Sequence, residues 1–143
     1  MSYKWDESLE TGHEKIDTQH KQLIETLNSL IAASQEGKDK EEIFKVVDFL
    51  LEYTILHFKA EEVLQLQYNY PDYYVHKKYH EEFKVTATEL NKQLIETGPT
   101  PEMINYVTNI IGEWFIHHIK GDDFRMAAFI KSVDAKAMRA ESK

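Results

Sequence analysis

Apolar residues recur every three or four positions in four long segments of the chain, the spacing that places them on one face of an α-helix. No segment alternates at strand spacing. Polar stretches around Gly37, around Pro71 and in the run TGPTPE separate these segments. The pattern predicts helices over residues 18–35, 40–67, 72–97 and 101–120.

Four long helices joined by short turns favour an all-α fold, an antiparallel up-down-up-down four-helix bundle. We expect a single domain over residues 1–143. It consists of an N-terminal arm over 1–16 with Trp5 packed on the bundle, the bundle over about 17–123, and a C-terminal segment over about 124–143. In that segment DFRMAAFIKSV predicts a short helix, and DAKAMRAESK is expected to fray.

Composition narrows the class of protein. Of 143 residues, 42% are hydrophobic and 29% charged, which is typical of a folded globular chain. The formal charge of -8 and the lack of a basic stripe exclude nucleic acid as an expected partner. No signal core or membrane-spanning run is visible, so we expect no membrane partner and a cytoplasmic location. The absence of cysteine excludes disulfides, thiolate zinc sites and iron–sulfur clusters.

Polar residues interrupt the apolar stripes at one level of the predicted bundle. Each helix carries at least one histidine in line with its core residues, and the second also carries a carboxylate. Buried groups of this kind need compensation, and a divalent iron, zinc or manganese ion would supply it. Because the helices alternate in direction, these positions meet and predict one metal cluster. They are His20, His57, Glu61, His76, His80 and His118.

Structural alternatives exist for each member taken alone. A single histidine is more often a hydrogen-bonded core or boundary residue than a ligand. HKKYH by itself is compatible with a surface pair, and HFKAEE with an exposed charge run in which Glu61 and Glu62 are solvated. His13, in the arm, keeps the structural interpretation. The coincidence of all four helices at one level favours the metal site.

The fourth helix offers two histidines and two aspartates. His118 continues the apolar run, whereas His117 lies on a polar face. The candidate carboxylates are Asp122 and Asp123. Asp123 lies five residues after His118, about 140° around a regular helix. It reaches the same face only if the helix is distorted, and Gly121 could supply a bulge.

Four segments resemble those of the hemerythrins, specifically the single-domain bacterial hemerythrins: GHEKIDTQHK, HFKAEE, YPDYYVHKKYHEEF and WFIHHIKGDDF. The resemblance runs from Trp5 to about Phe124. Its combined spacing, H…HxxxE…HxxxH…HxxxxD, is highly specific because seven ligands must fall in order. Alignment with the family selects His118 and Asp123.

The resemblance implies a non-haem di-iron centre. Three histidines hold one iron. Two hold the other and leave one position open, and two carboxylates bridge the two ions together with a solvent-derived oxygen. In that order the implied ligands are His76, His80 and His118, then His20 and His57, then Glu61 and Asp123.

The family's chemistry is reversible dioxygen binding, which implies a non-enzymatic protein for oxygen storage, delivery or scavenging, with dioxygen as its partner. Five neutral imidazoles should stabilise ferrous iron and discourage O–O cleavage, unlike carboxylate-rich di-iron sites. The alternatives at the same centre are a peroxidase, a nitric oxide reductase, or an oxygen or iron sensor. A structural zinc site fits poorly, because such sites are four-coordinate.

Three positions outside the ligand set depart from the family pattern. The chain has Gln65 where a methionine is common, Phe115 where an aliphatic residue is common, and His117 where an asparagine is common. We expect Phe115 to narrow access to the oxygen site, and an inward-facing Gln65 to have the opposite effect.

Overall fold

Four long helices form the bundle, and consecutive helices pack side by side while the fourth also packs on the first. The computed structural model describes residues 2–141, and no strand occurs in that range. The bundle helices are α1 (Glu14–Gln35), α2 (Lys40–Gln67), α3 (Tyr73–Thr97) and α4 (Pro101–His118). The fold therefore confirms the predicted all-α bundle. None of the described helices has the length and apolar character needed to cross a bilayer.

Two helices begin at the predicted positions, each next to a capping residue. Asp39 accepts a hydrogen bond from the backbone N–H of Glu42 at 2.9 Å and caps α2. Thr100 caps α4 by accepting from the N–H of Met103 at 3.1 Å, with Pro101 in the first turn. α2 has the predicted bounds, and α4 starts at the predicted residue.

α1 begins at Glu14, earlier than the predicted start at residue 18. His13 occupies the N-cap position, and its Nδ1 accepts from the N–H of Ile16 at 3.4 Å. Asp17 accepts from the N–H and hydroxyl of Thr11 at 2.9 and 2.8 Å, which ties the first turn to the arm. An imidazole is outside the usual set of N-cap residues, so no clear sequence signal marks this start.

The chain continues past α4 as one helical rod. A π-helical segment, Ile119–Asp123, connects α4 directly to α5 (Phe124–Glu141). α5 extends beyond the predicted short helix, DFRMAAFIKSV, through most of DAKAMRAESK to Glu141. Tyr68 donates a hydrogen bond of 2.8 Å to Asp134, near the middle of α5. Ser142 and Lys143, the last residues of the segment expected to fray, lie outside the described residues, as does Met1.

The N-terminal arm packs on the bundle as expected. A short 3₁₀ turn, Glu7–Leu9, buries Leu9 against Ile24 and Ile119, with Trp5 beside them. The ammonium of Lys21 lies 5.5 Å from the centre of the Trp5 ring.

Tyr3 anchors the start of the arm between α1 and α4. Its N–H donates to Asn28 at 2.7 Å, and the Asn28 amide donates back to the Tyr3 carbonyl at 2.6 Å. The Tyr3 ring lies on Gly112, where any Cβ would approach the ring to 2.2 Å. The absence of a side chain at position 112 is therefore what allows the ring to enter.

Two apolar clusters leave a polar layer between them. The larger cluster fills the bundle and includes Leu27, Leu50, Leu94 and Ile104. The smaller one lies under α5 and contains Ile16, Tyr70, Met126 and Ile130. Along the chain, each candidate ligand falls between a residue of the larger cluster and one of the smaller cluster, and none is more than 3% exposed.

Candidate metal centre

Seven polar side chains meet in the layer between the two apolar clusters. α1 and α4 each contribute one, α2 and α3 two each, and the π-helical segment one. None is more than 3% exposed. They are His20, His57, Glu61, His76, His80, His118 and Asp123, the seven ligands that the resemblance implies.

Glu61 faces four histidines with its two oxygens. Its Oε2 lies 3.0 Å from Nε2 of His57 and 3.4 Å from Nε2 of His20. Its Oε1 lies 3.1 Å from Nε2 of His80 and 3.4 Å from Nε2 of His76. The two oxygens of Glu61 thus face different imidazoles: Oε2 faces His20 and His57, and Oε1 faces His76 and His80.

Asp123 divides the histidines in the same way. Its Oδ2 lies 3.0 Å from Nε2 of His20, while Oδ1 lies 3.1 Å from His76 and 3.2 Å from His118. The site therefore consists of a two-histidine set and a three-histidine set that share both carboxylates. In each set, the donor atoms with those of the carboxylates lie within 4.8 Å of one another.

A π-helical turn brings Asp123 onto this layer. The N–H of Phe124 bonds to the carbonyl of Ile119, five residues earlier, which widens the helix around Gly121. This distortion overcomes the 140° separation between His118 and Asp123 that a regular helix would impose. Asp123 is fully buried, whereas Asp122 lies on the outer side of His118.

Three histidines are oriented by acceptors on their outer side. An N–H directed at a carboxylate or amide oxygen leaves the other ring nitrogen free as a lone pair, and here that nitrogen is the inward Nε2. The Nδ1 donors and their acceptors are His57 with Gln19 at 2.7 Å, His80 with Glu62 at 2.9 Å, and His118 with Asp122 at 2.9 Å.

The sequence carries little signal for these acceptors. Asp122 is a candidate ligand by sequence, although its spacing of four residues from His118 places it beside that ring on a helix. Glu62 fitted an exposed charge run, but it bonds to His80 on the neighbouring helix. Gln19 likewise acts across helices. No spacing within one helix reveals a contact of that kind.

The residues present fit a metal. Both nitrogens of His20 and all four carboxylate oxygens of Glu61 and Asp123 are buried without a hydrogen bond. The Nε2 atoms of His80 and His118 face each other at 3.2 Å, although the protons of both rings are directed outward. Facing lone pairs and unpaired carboxylate oxygens are unfavourable unless a cation lies among them.

Without a metal, protons supply the missing positive charge. Burial alone would lower the pKa of His118, but the charge of Asp123 and the hydrogen bond to Asp122 outweigh it and raise that pKa to about 10. Burial likewise opposes protonation of His20 and His76, yet their contacts with Asp123 and Glu61 raise each pKa to about 9.

The two carboxyl groups respond in the opposite sense. Burial disfavours ionisation of both Glu61 and Asp123, and the charge of Glu61 adds to this for Asp123. The surrounding imidazoles nevertheless hold the pKa of each carboxyl well below its ordinary range. Both residues are therefore anionic at neutral pH and suited to binding a cation.

Aromatic rings stack on two members of the three-histidine set. Phe58 stacks on His80, with ring centroids 3.9 Å apart and planes 8° apart. Trp114 stacks on His118 at 4.4 Å and 15°. The two-histidine set lies instead beside a cleft of about 90 Å³ between α1 and α2, lined in part by Gln19 and Glu61.

The positions that depart from the family pattern have different environments. Gln65 faces inward and donates its amide to the sulfur of Met126 at 2.9 Å. Phe115 is buried in the main apolar cluster, with its ring centroid 5.3 Å from that of Phe83. His117 is exposed, as its polar face predicted. His13 caps α1 and is not part of the cluster.

Comparisons with known proteins give a consistent result. The family model described as "Hemerythrin HHE cation binding domain" matches residues 11–130. A bacteriohemerythrin of Pseudomonas paraeruginosa is 33% identical over 119 residues, covering 83% of this chain and 75% of that protein. A myohemerythrin of Theromyzon tessulatum is 28% identical over 123 residues, covering 86% and 89% respectively.

Solved structures agree with the sequence comparisons. The fold is similar to that of a wild-type hemerythrin with a TM-score of 0.77 and 26% identity, covering 88% of this chain and 95% of that chain. A leucine-to-alanine variant of a hemerythrin gives a TM-score of 0.79 at 26% identity, covering 90% and 98%.

Proposed function

The chain belongs to the hemerythrin family, and on that basis we propose that it binds dioxygen reversibly at a non-haem di-iron centre. Such a centre would serve oxygen storage, delivery or scavenging. The proposal rests on the positions of the carboxylate oxygens of Glu61 and Asp123. Each residue directs one oxygen to the two-histidine set and the other oxygen to the three-histidine set.

Two metal ions explain this division better than one. A carboxylate that binds a single ion would direct its oxygens toward one group of imidazoles. A carboxylate shared by two ions would direct one oxygen toward each group. We assign His76, His80 and His118 to one iron, His20 and His57 to the other, and Glu61 and Asp123 to both. Imidazole nitrogen and carboxylate oxygen are suitable ligands for iron.

The two sets differ by one ligand. Counting the shared carboxylates, the three-histidine set offers five residues and the two-histidine set four. If both ions take the same coordination number, the two-histidine side keeps one more position for a small molecule. When bound, the iron pair supplies the electrons that allow dioxygen to bind reversibly.

The surroundings of the two sets agree with this assignment. Phe58 and Trp114 stack on His80 and His118, two of the three imidazoles of the three-histidine set. The cleft between α1 and α2 reaches Glu61 and the Gln19 side chain that orients His57. Its volume of about 90 Å³ accommodates a diatomic molecule, but it gives little room for an organic substrate.

The test is a visible spectrum of iron-loaded protein that is reduced without air, exposed to oxygen and then degassed. We expect a charge-transfer band that appears with oxygen and fades on degassing. Immediate and permanent conversion to ferric protein would reject the carrier function and favour an enzyme or a sensor.

Substitution of His57 tests the ligand assignment. His57→Ala should lower the iron content and abolish oxygen binding, because it removes one of two imidazoles from the second ion. His117→Ala is the matched control, since that ring is exposed on the other side of α4. Full iron content and reversible binding in the His57 variant would refute the assignment.

A further inference from the structure

Two imidazoles of the three-histidine set donate hydrogen bonds to carboxylates on their outer side. Nδ1 of His80 donates to Glu62, and Nδ1 of His118 donates to Asp122, each at 2.9 Å. A carboxylate that accepts this proton makes the inward Nε2 a stronger electron donor and fixes the orientation of the ring. Both effects strengthen the binding of a metal ion on this side of the cluster.

Within residues 2–141, no carboxylate has this role for the two-histidine set. Nδ1 of His57 donates to the amide oxygen of Gln19 at 2.7 Å, and an uncharged amide is a weaker acceptor than a carboxylate. Nδ1 of His20 is buried without a hydrogen bond to any described protein group. The imidazoles on this side are therefore weaker donors, and one of them is less firmly oriented.

The surroundings of the two sets differ in the same sense. Phe58 and Trp114 stack on imidazoles of the three-histidine set. The cleft of about 90 Å³ that is lined in part by Gln19 and Glu61 lies instead beside the two-histidine set, which also offers one protein ligand fewer. An ion on this side is held by fewer protein groups and lies next to an opening between α1 and α2.

We propose that the two metal positions fill in sequence, the three-histidine set first, and that the neutral acceptor Gln19 widens the difference in affinity between them. This inference rests on the proposed di-iron centre, to which it adds an order of binding and a positioning residue. It implies a form of the protein that holds one ion, in which the two-histidine position is still open.

Titration of the metal-free full chain with cobalt(II) tests the order of binding. Cobalt(II) accepts the same imidazole and carboxylate ligands as iron(II), and its visible absorption changes as it is bound. We expect two steps of one equivalent each, with dissociation constants at least about tenfold apart. Dioxygen takes no part in this titration, so its result does not depend on whether the iron-loaded protein binds oxygen reversibly.

Substitution of Gln19 tests its role. Gln19→Glu replaces the amide by a carboxylate of nearly the same size and should strengthen the second step about tenfold, because His57 then has the kind of acceptor that His80 and His118 have. Gln19→Leu removes the acceptor and should weaken the second step by a similar factor. Gln67→Glu is the matched control, since it adds the same charge at an exposed position that lines the same cleft.

Asp122→Asn is the reciprocal variant, because it weakens an acceptor of the three-histidine set and should weaken the first step instead of the second. A merely structural role for Gln19 would weaken both steps in both of its variants. Two equivalents bound in a single step would overturn the proposal and leave a two-metal centre in place. A second step that neither Gln19 variant shifts would also overturn it. Binding of only one equivalent would contradict the two-metal centre itself.

Discussion

Nδ1 of His118 donates a hydrogen bond of 2.9 Å to Asp122, on the side of the ring that faces away from the buried cluster. The next residue, Asp123, approaches Nε2 of the same ring at 3.2 Å from the inside. Two consecutive aspartates thus contact opposite nitrogens of one imidazole. Asp122 orients the ring, and Asp123 lies with the ring in the buried cluster.

Asp122→Asn should weaken iron binding by about 10- to 100-fold, because the amide is a poorer acceptor for the imidazole N–H and no longer fixes its tautomer. Iron(II) titration against a competing chelator measures the effect. Asp48→Asn, an exposed carboxylate on α2, is the control for the loss of one negative charge. Equal affinities for the two variants would show that Asp122 does not orient His118.

Removal of iron should destabilise the fold, because the carboxylate oxygens of Glu61 and Asp123 and the nitrogens of His20 would be buried without a partner. A ligand present at a thousand times its dissociation constant adds about 4 kcal/mol. For a chain of this size that corresponds to a Tm difference of roughly 10 °C. Calorimetry of the metal-free and iron-loaded forms measures it, and identical values would contradict a metal in the core.

The metal-free protein should become less stable as the pH rises from about 6 to 10. Folding raises the pKa of His20, His76 and His118 above the ordinary value of 6.5. Their protonation therefore stabilises the folded chain fully below pH 6.5, and this contribution is lost as the pH passes through about 9 to 10. Calorimetry across this range should show a falling Tm. Iron-loaded protein should change less, because the metal replaces these protons; parallel curves would contradict this expectation.

Gly112→Ala should lower the free energy of unfolding by about 1–3 kcal/mol, because the new methyl group would overlap the Tyr3 ring. Urea unfolding measures the change. The same substitution in a Tyr3→Ala background should have little effect, since the ring is then absent. Gly121→Ala is a further control, because the nearest atom to a Cβ there lies 3.8 Å away. If Gly112→Ala is equally destabilising with and without Tyr3, the ring contact is not the cause.

A helix boundary is predictable from the sequence where a standard capping residue lies beside it. Asp39 and Thr100 are standard N-cap residues at the starts of α2 and α4, which both begin at the predicted positions. The start of α1 depends on His13 and on Asp17 bonding back to Thr11, a combination that no short sequence signal encodes. α5 runs past its predicted end, and its hydrogen bond with Tyr68 joins residues 66 positions apart in the sequence, a contact that no local pattern reveals.

The residues of the candidate site likewise differ in whether a local sequence pattern indicates them. Six of its members lie on apolar stripes, so helical periodicity alone indicates that they face inward. Asp123 does not follow that periodicity and was selected by resemblance to the family, because only the π-helical turn directs it inward. The acceptors Gln19 and Glu62 act on neighbouring helices. Their positions depend on how the helices are rotated against one another, which one sequence does not reveal.

The π-helical segment Ile119–Asp123 holds one residue more than an ordinary helical turn, and this changes what kind of mutation matters most there. Deleting one residue from it would let the helix return to regular geometry and still direct α5 along the same path. The deletion would bring Asp123 to the fourth position after His118, which Asp122 occupies in this chain. The length of this segment, and not only the identity of its residues, therefore determines which aspartate orients the ring and which one enters the cluster.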